Sequence, residues 1–226
     1  MFVRFFVFAV VVFSFQLSVC LCTATAQVEL ACNGICRVET PTGSGTGFVV
    51  ASRSGKIEVW TNGHVTGPIG SEATARFSTG RSDERTFKTT VAARRYQGGA
   101  DWSKLIGEGD YEGHVFPVGG LQDASVDRLT GGFPHGGSFY SLVLSPRPDK
   151  SFGDVSAYLP SAIPGQSGSP VVDESGNVVG VVTMYFQNKR ERFGGFLPIE
   201  DWKGEGRVSV RNVGSFKTLG NAPSVQ

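Results

Sequence analysis

After residue 40 the apolar residues come in short runs rich in Val, Ile, Thr and aromatic side chains, with Gly, Pro, Asn and Ser clustered between the runs. β-Branched and aromatic residues suit a pleated surface, and the intervening residues suit turns. The pattern predicts strands over Gly47–Ser52, Lys56–Thr61, Phe87–Arg95, Ser138–Leu144, Val155–Leu159, Pro170–Asp173 and Val178–Tyr185. Glu174-Ser175-Gly176-Asn177 divides the last two as a hairpin turn would. Few stretches carry the 3.6-residue period of an amphipathic helix, and strands do not alternate with helices. An all-β barrel or sandwich is therefore favoured over an α/β sheet. No repeat or linker splits the chain, whose 226 residues suffice for one large domain or two small lobes.

The first 26 residues break this pattern. Arg4 precedes a long apolar run, Phe5 to Cys22, and Ala24-Thr25-Ala26 fits the small-x-small rule for cleavage. A signal peptide over 1–26 is predicted, giving a mature start at Gln27 and a secreted or periplasmic location. The alternative is an uncleaved anchor, because the run approaches spanning length. Removing Arg4 from the 21 basic residues leaves 20, which match the 20 acidic ones. Such a balance lacks the basic footprint of a nucleic-acid binder.

Four cysteines are present, and Cys20 and Cys22 leave with the leader. Cys32 and Cys36, in CNGIC, predict one local disulfide in an exported chain, with two unpaired thiols as the alternative. A metal site would need two further ligands, and no His lies nearby in sequence.

The candidate chemistry lies in PGQSGSPVV, where Ser167 sits in a Gly-x-Ser-Gly turn ahead of two apolar runs. A serine hydroxyl is a poor nucleophile at neutral pH and needs an adjacent base. The three histidines, His64, His114 and His135, all precede Ser167. A Gly-x-Ser-x-Gly elbow of the α/β-hydrolase kind requires a final Gly and a later His; here the final position is Ser169. That reading fails twice, and the order His, Asp, Ser remains open.

The series TGSGTGFVV, VWTNGHVTG, GADWSKL, PGQSGSPVV and GVVTMY, with GGFLPIED near the end, runs from about Thr42 to Ile199. It resembles the motif series of trypsin-like serine proteases with the chymotrypsin fold. The flavour is similar to bacterial exported members such as the high-temperature-requirement protease domain. The resemblance implies two packed six-stranded antiparallel β-barrels over 27–202, followed by a polar tail over 203–226. It implies an endopeptidase acting on protein or peptide substrates without cofactor or metal. Ser167 would be nucleophile, His64 general base and Asp101 the acid that orients the imidazole; Asp83 and Asp110 lack the flanking pattern of Asp101. The amides of Gly165 and Ser167 would form the oxyanion hole. Activity should then rise with pH through a value near the histidine reference of about 6.5.

Three departures from the family pattern carry consequences. In Asp101-Trp102-Ser103-Lys104-Leu105 the lysine is unexpected beside a buried acid, although a strand could turn it outward. Gln166 stands where digestive relatives carry an Asp that pairs with a newly cut N-terminus, so activation of that kind is not expected. Ser169 replaces a frequent Gly. By the same resemblance Ser161 lies at the base of the specificity pocket, and Thr183-Met184-Tyr185 binds the substrate backbone. With no acid at Ser161, the expected preference is for small or medium apolar side chains, although core packing would equally account for Met184 and Tyr185. Two other function classes stay open: a catalytically silent relative that only binds peptide or protein, and a non-enzymatic secreted β domain.

Overall fold

Period-two alternation builds the first half of the molecule. In β4 (Glu72–Phe77) the residues Ala73, Ala75 and Phe77 are buried while Glu72, Thr74 and Arg76 face outward. The same alternation runs through β5 (Arg85–Gln97) and β6 (Ala100–Glu108), whereas β1 (Ile35–Thr40), β2 (Gly43–Arg53) and β3 (Lys56–Thr61) each bury adjacent residues over part of their length. These six antiparallel strands close into a barrel in the order β1-β2-β3-β6-β5-β4. Closure removes the edges that a flat sheet would expose, and Val38, Val49, Ile57, Val59, Val91 and Leu105 fill the interior. The computed structural model describes residues 32–78, 82–97, 100–120, 126–147, 156–187, 192–198 and 217–218. The expected leader lies outside the described residues, and among these no helix is long and apolar enough to cross a membrane.

A second barrel follows. β7 (Arg128–Gly132), β8 (Tyr140–Pro146), β9 (Ser156–Leu159), β10 (Pro170–Val172), β11 (Val178–Gln187) and β12 (Arg192–Pro198) join in the order β10-β7-β8-β9-β12-β11. Pairing of β10 with β11 closes the ring. The expected hairpin between them is present: Asp173 Oδ1 accepts from the amides of Ser175 and Asn177, both at 2.9 Å. A two-residue strand, β13 (Lys217–Thr218), lies on β11. Between the barrels, Ile35, Phe48 and Trp60 from the first meet Phe133, Val172, Val178 and Val181 from the second. This apolar seam fixes the two lobes against each other, and the candidate site lies along it.

All seven expected strands are present, and β1, β4, β6, β7, β12 and the two-residue β13 add to them. The signal in β4, β6, β7 and β12 is weak for local reasons. β4 uses Ala inside, and β6 carries Asp, Lys and Glu along its length. β7 and β12 contain Gly pairs, where a neighbouring side chain takes the space of a missing Cβ: Phe139 at Gly131 and the Tyr158 ring at Gly194.

The expected disulfide between Cys32 and Cys36 is corrected: the two cysteines are not joined. The chain enters the barrel between them. Cys32 lies half-buried in a helical turn before β1, while Cys36 is fully enclosed in the core of the first barrel. Burial pushes the Cys36 thiol well above its ordinary pKa, so it packs as a small neutral group.

Candidate active site

Strand register brings His64 and Asp101 together. β3 pairs with β6, with Thr61 opposite Ser103, so the chain leaving β3 passes over the start of β6. The turn at Asn62–Thr66 then presents His64 to Asp101. The His64 amide donates to Asp101 Oδ1 at 2.9 Å, and His64 Nδ1 lies 2.7 Å from Asp101 Oδ2. Both side chains are nearly enclosed, 6 % and 8 % exposed. An ionised carboxylate can only accept, so it holds the proton on Nδ1 and leaves Nε2 of the neutral ring as an acceptor. Lys104 is turned away from Asp101: its ammonium sits 4.8 Å from the Trp60 ring centroid and 3.9 Å from Glu58 Oε1.

A strand irregularity ties this pair to the second barrel. β11 and β12 slip register between Val182 and Met184, which oppose Phe196 and Gly195, leaving Thr183 as the extra residue. A bulge re-aims a side chain that simple alternation would direct elsewhere. Thr183 Oγ1 donates to Asp101 Oδ2 at 3.3 Å and accepts from Asn62 Nδ2, which also donates to Asp101 O at 2.8 Å. Asp101 is thus held on both oxygens by groups from two barrels. The Thr183 side chain serves the acid, a role separate from the backbone contact with substrate expected of this strand.

The Ser167 turn is fixed from the first barrel. Thr46 of β2 donates its amide to Ser167 O at 2.8 Å and its hydroxyl to Gly165 O at 2.7 Å, and the same hydroxyl accepts from the Phe133 amide at 3.1 Å. Gly165 has φ +94°, and a Cβ there would lie 2.3 Å from Phe133 O. Only glycine fits that bend. Among the described residues no acceptor takes the amides of Gly165 or Ser167. Ser167 Oγ and His64 Nε2 are both buried without a hydrogen-bond partner.

Other expected residues fall as follows. Gln166 is buried, and its Oε1 accepts from the Ile163 amide at 2.8 Å, so the side chain braces its own turn. Ser169 is accommodated because Gly132 faces it; a Cβ on Gly132 would lie against the Ser169 hydroxyl. Half-buried Ser161 donates to Ala162 O at 3.4 Å. Met184 and Tyr185 oppose Thr218 and Lys217 of β13. His114 packs edge-on to Phe116 at 4.6 Å, and His135 lies in a single helical turn at Pro134–Gly136.

Sequence reasoning missed Thr46 and Asn62, although both lie inside quoted motifs, TGSGTG and TNGH. Their roles depend on partners more than 35 positions away, for which local sequence carries no signal. It also missed Tyr96, opposite Asp101 on β5, whose partly exposed ring lies 6.2 Å from the His64 ring beneath the Arg94 guanidinium.

No protein-family model and no curated protein matches the chain. Solved structures do. The active form of the Rv3671c protease from M. tuberculosis is similar at 20 % identity over 82 % of this chain and 85 % of its own, with a TM-score of 0.65. Its inactive form is similar at 22 % identity over 78 % and 89 %, TM-score 0.61. A serine endoprotease from Yersinia pestis is similar at 17 % identity over 78 % of this chain and 62 % of its own, TM-score 0.61. Two closed six-stranded barrels packed along an apolar seam, with the motif order read from the sequence, give this chain the chymotrypsin-like fold of trypsin-like serine proteases.

Proposed function

We propose that the protein is an exported serine endopeptidase that cleaves peptide bonds through an acyl-enzyme, with His64, Asp101 and Ser167 as its triad. The observation that carries this reading is the His64 Nδ1–Asp101 Oδ2 contact of 2.7 Å, enclosed at the barrel seam. Asp101 orients the imidazole and stabilises its charged form, and Nε2 takes the Ser167 proton as the hydroxyl attacks. Buried polar atoms ordinarily have partners. Among the buried side-chain atoms without a hydrogen-bond partner are Ser167 Oγ and His64 Nε2, the pair whose hydrogen bond this chemistry requires. Such bonds are often loose before substrate binds and tighten in the complex.

The tetrahedral oxyanion then takes the amides of Gly165 and Ser167, and His64 returns its proton to the leaving amine. Water attacks the acyl-enzyme by the same relay in reverse order. The brace from Gln166 to the Ile163 amide supports a turn that forms without an ion pair to a new N-terminus. The leader sequence supports export, and the neutral Ser161 supports a preference for small or medium apolar side chains.

A fluorophosphonate probe tests the reading, since it is attacked by an activated serine and needs no natural substrate. Wild type should label and Ser167→Ala should not. No labelling of folded wild type would favour the silent relative instead.

A further inference from the structure

We propose that the segment carrying Lys217 and Thr218 is a built-in competitor for substrate, seated on the strand edge that a peptide must use. The inference rests on the endopeptidase reading, and its geometry is independent of it. At Met184 and Tyr185 one edge of β11 is covered by β12, through Gly195 and Gly194. On the other edge β10 covers Val178–Val181, and the nucleophile turn continues the contact: Gly168 donates to Val182 O, and Val182 donates to Ser169 O, both at 2.9 Å. Beyond the turn β13 takes that same edge, with Thr218 opposite Met184 and Lys217 opposite Tyr185. Both edges of β11 are therefore filled on either side of Ser167.

Direction decides what this occupancy means. β10 and β13 are both antiparallel to β11, so they run the same way along one edge with Ser167 between them. A chain in the β13 position travels from Tyr185 towards Thr183 and the nucleophile. A peptide presenting its carbonyl to Ser167 must arrive along this edge and in this sense, adding a strand by backbone hydrogen bonds. Each backbone N–H and C=O of Met184 and Tyr185 can serve one strand at a time. Lys217–Thr218 thus holds the two seats that a substrate needs.

The tether makes the competition effective. Residues 199–216 join β12 to β13 in sequence, so β13 competes as part of the same chain, and covalent attachment of this kind sets an effective concentration of order millimolar. A dilute peptide then meets an edge that is open only for a fraction of the time, and its apparent affinity falls by that fraction.

The test uses the full mature chain. Lys217→Pro/Thr218→Pro removes both amides of β13, and proline cannot join a ladder through its nitrogen; Ala222→Pro is the control. Three readouts are taken: amide exchange of the β11 peptide containing Met184 and Tyr185, fluorophosphonate labelling of Ser167, and kinetics on a fluorogenic tetrapeptide. The double variant should exchange faster at β11, label like wild type, and show KM lower by about tenfold with kcat unchanged, the signature of a removed competitor. A synthetic peptide of residues 214–226, added to the double variant, should restore the higher KM. Unchanged exchange and unchanged KM in a protein that labels would overturn the competitor while leaving the enzyme intact. Faster exchange in a protein that never labels would overturn the endopeptidase reading, and the competitor's role with it, while the strand pairing itself stood.

Discussion

Two glycines with nearly the same backbone but different surroundings isolate what the nucleophile turn requires. Gly168 has φ +88° and Gly176 has φ +80°, so an Ala at either carries the same left-handed penalty of roughly 1–2 kcal/mol. A stiffer unfolded chain offsets about 0.4–1 kcal/mol of this at both sites. At Gly176 the added Cβ meets nothing within 4 Å. At Gly168 it would lie 2.0 Å from the Thr46 carbonyl oxygen and 2.4 Å from Thr61 Oγ1. Strand β2 must then move, and Thr61 already donates to that carbonyl at 2.6 Å. Overpacking of this kind costs about 1–3 kcal/mol, and losing the attached hydrogen bond adds about 1 kcal/mol. Gly168→Ala should therefore destabilise by about 3–5 kcal/mol and Gly176→Ala by about 1 kcal/mol. Urea unfolding with unchanged m-values reads the difference, and the melting points should differ by about 5–15 °C. Probe labelling at Ser167 should fall in the first variant and persist in the second. Equal midpoints for the two would refute the claim that the turn is packed rigidly against β2.

Three further outcomes follow from individual residues. Thr46→Val keeps the shape but orphans Gly165 O and the Phe133 amide, so it should cost about 2–4 kcal/mol and slow labelling of Ser167, whereas Thr46→Ser restores both; urea midpoints and labelling rates check this. Burial holds the His114 pKa below its ordinary value, so the unfolded chain binds that proton first: stability should be full above about pH 6.5 and fall as pH drops through the interval down to the lowered folded value. Unfolding midpoints across pH should flatten over that interval in His114→Gln. Cys36, neutral in the barrel core, should resist alkylation in the folded protein and react fully in strong denaturant, as read by mass spectrometry of its peptide.

Local sequence alone determined the parts of this protein whose physics is local. The β-branched runs around Lys56–Thr61 and Val178–Tyr185, and the turn at Glu174–Asn177, specify strands and a hairpin through side-chain shape and turn chemistry. The bend at Gly165 is legible because only glycine adopts it without a clash. Tertiary structure decided whatever depends on register and closure. CNGIC looks like a local bridge, yet barrel closure turns Cys36 inward, away from that partnership. Thr183 reads as part of a strand for the substrate backbone, and only the one-residue bulge shows that its hydroxyl is aimed at Asp101 from the other barrel. Thr46 and Asn62 are ordinary polar residues until folding places them against groups far along the chain. The edge held by Lys217 and Thr218 carries no signal in composition, because backbone hydrogen bonds, which every residue offers alike, make that pairing.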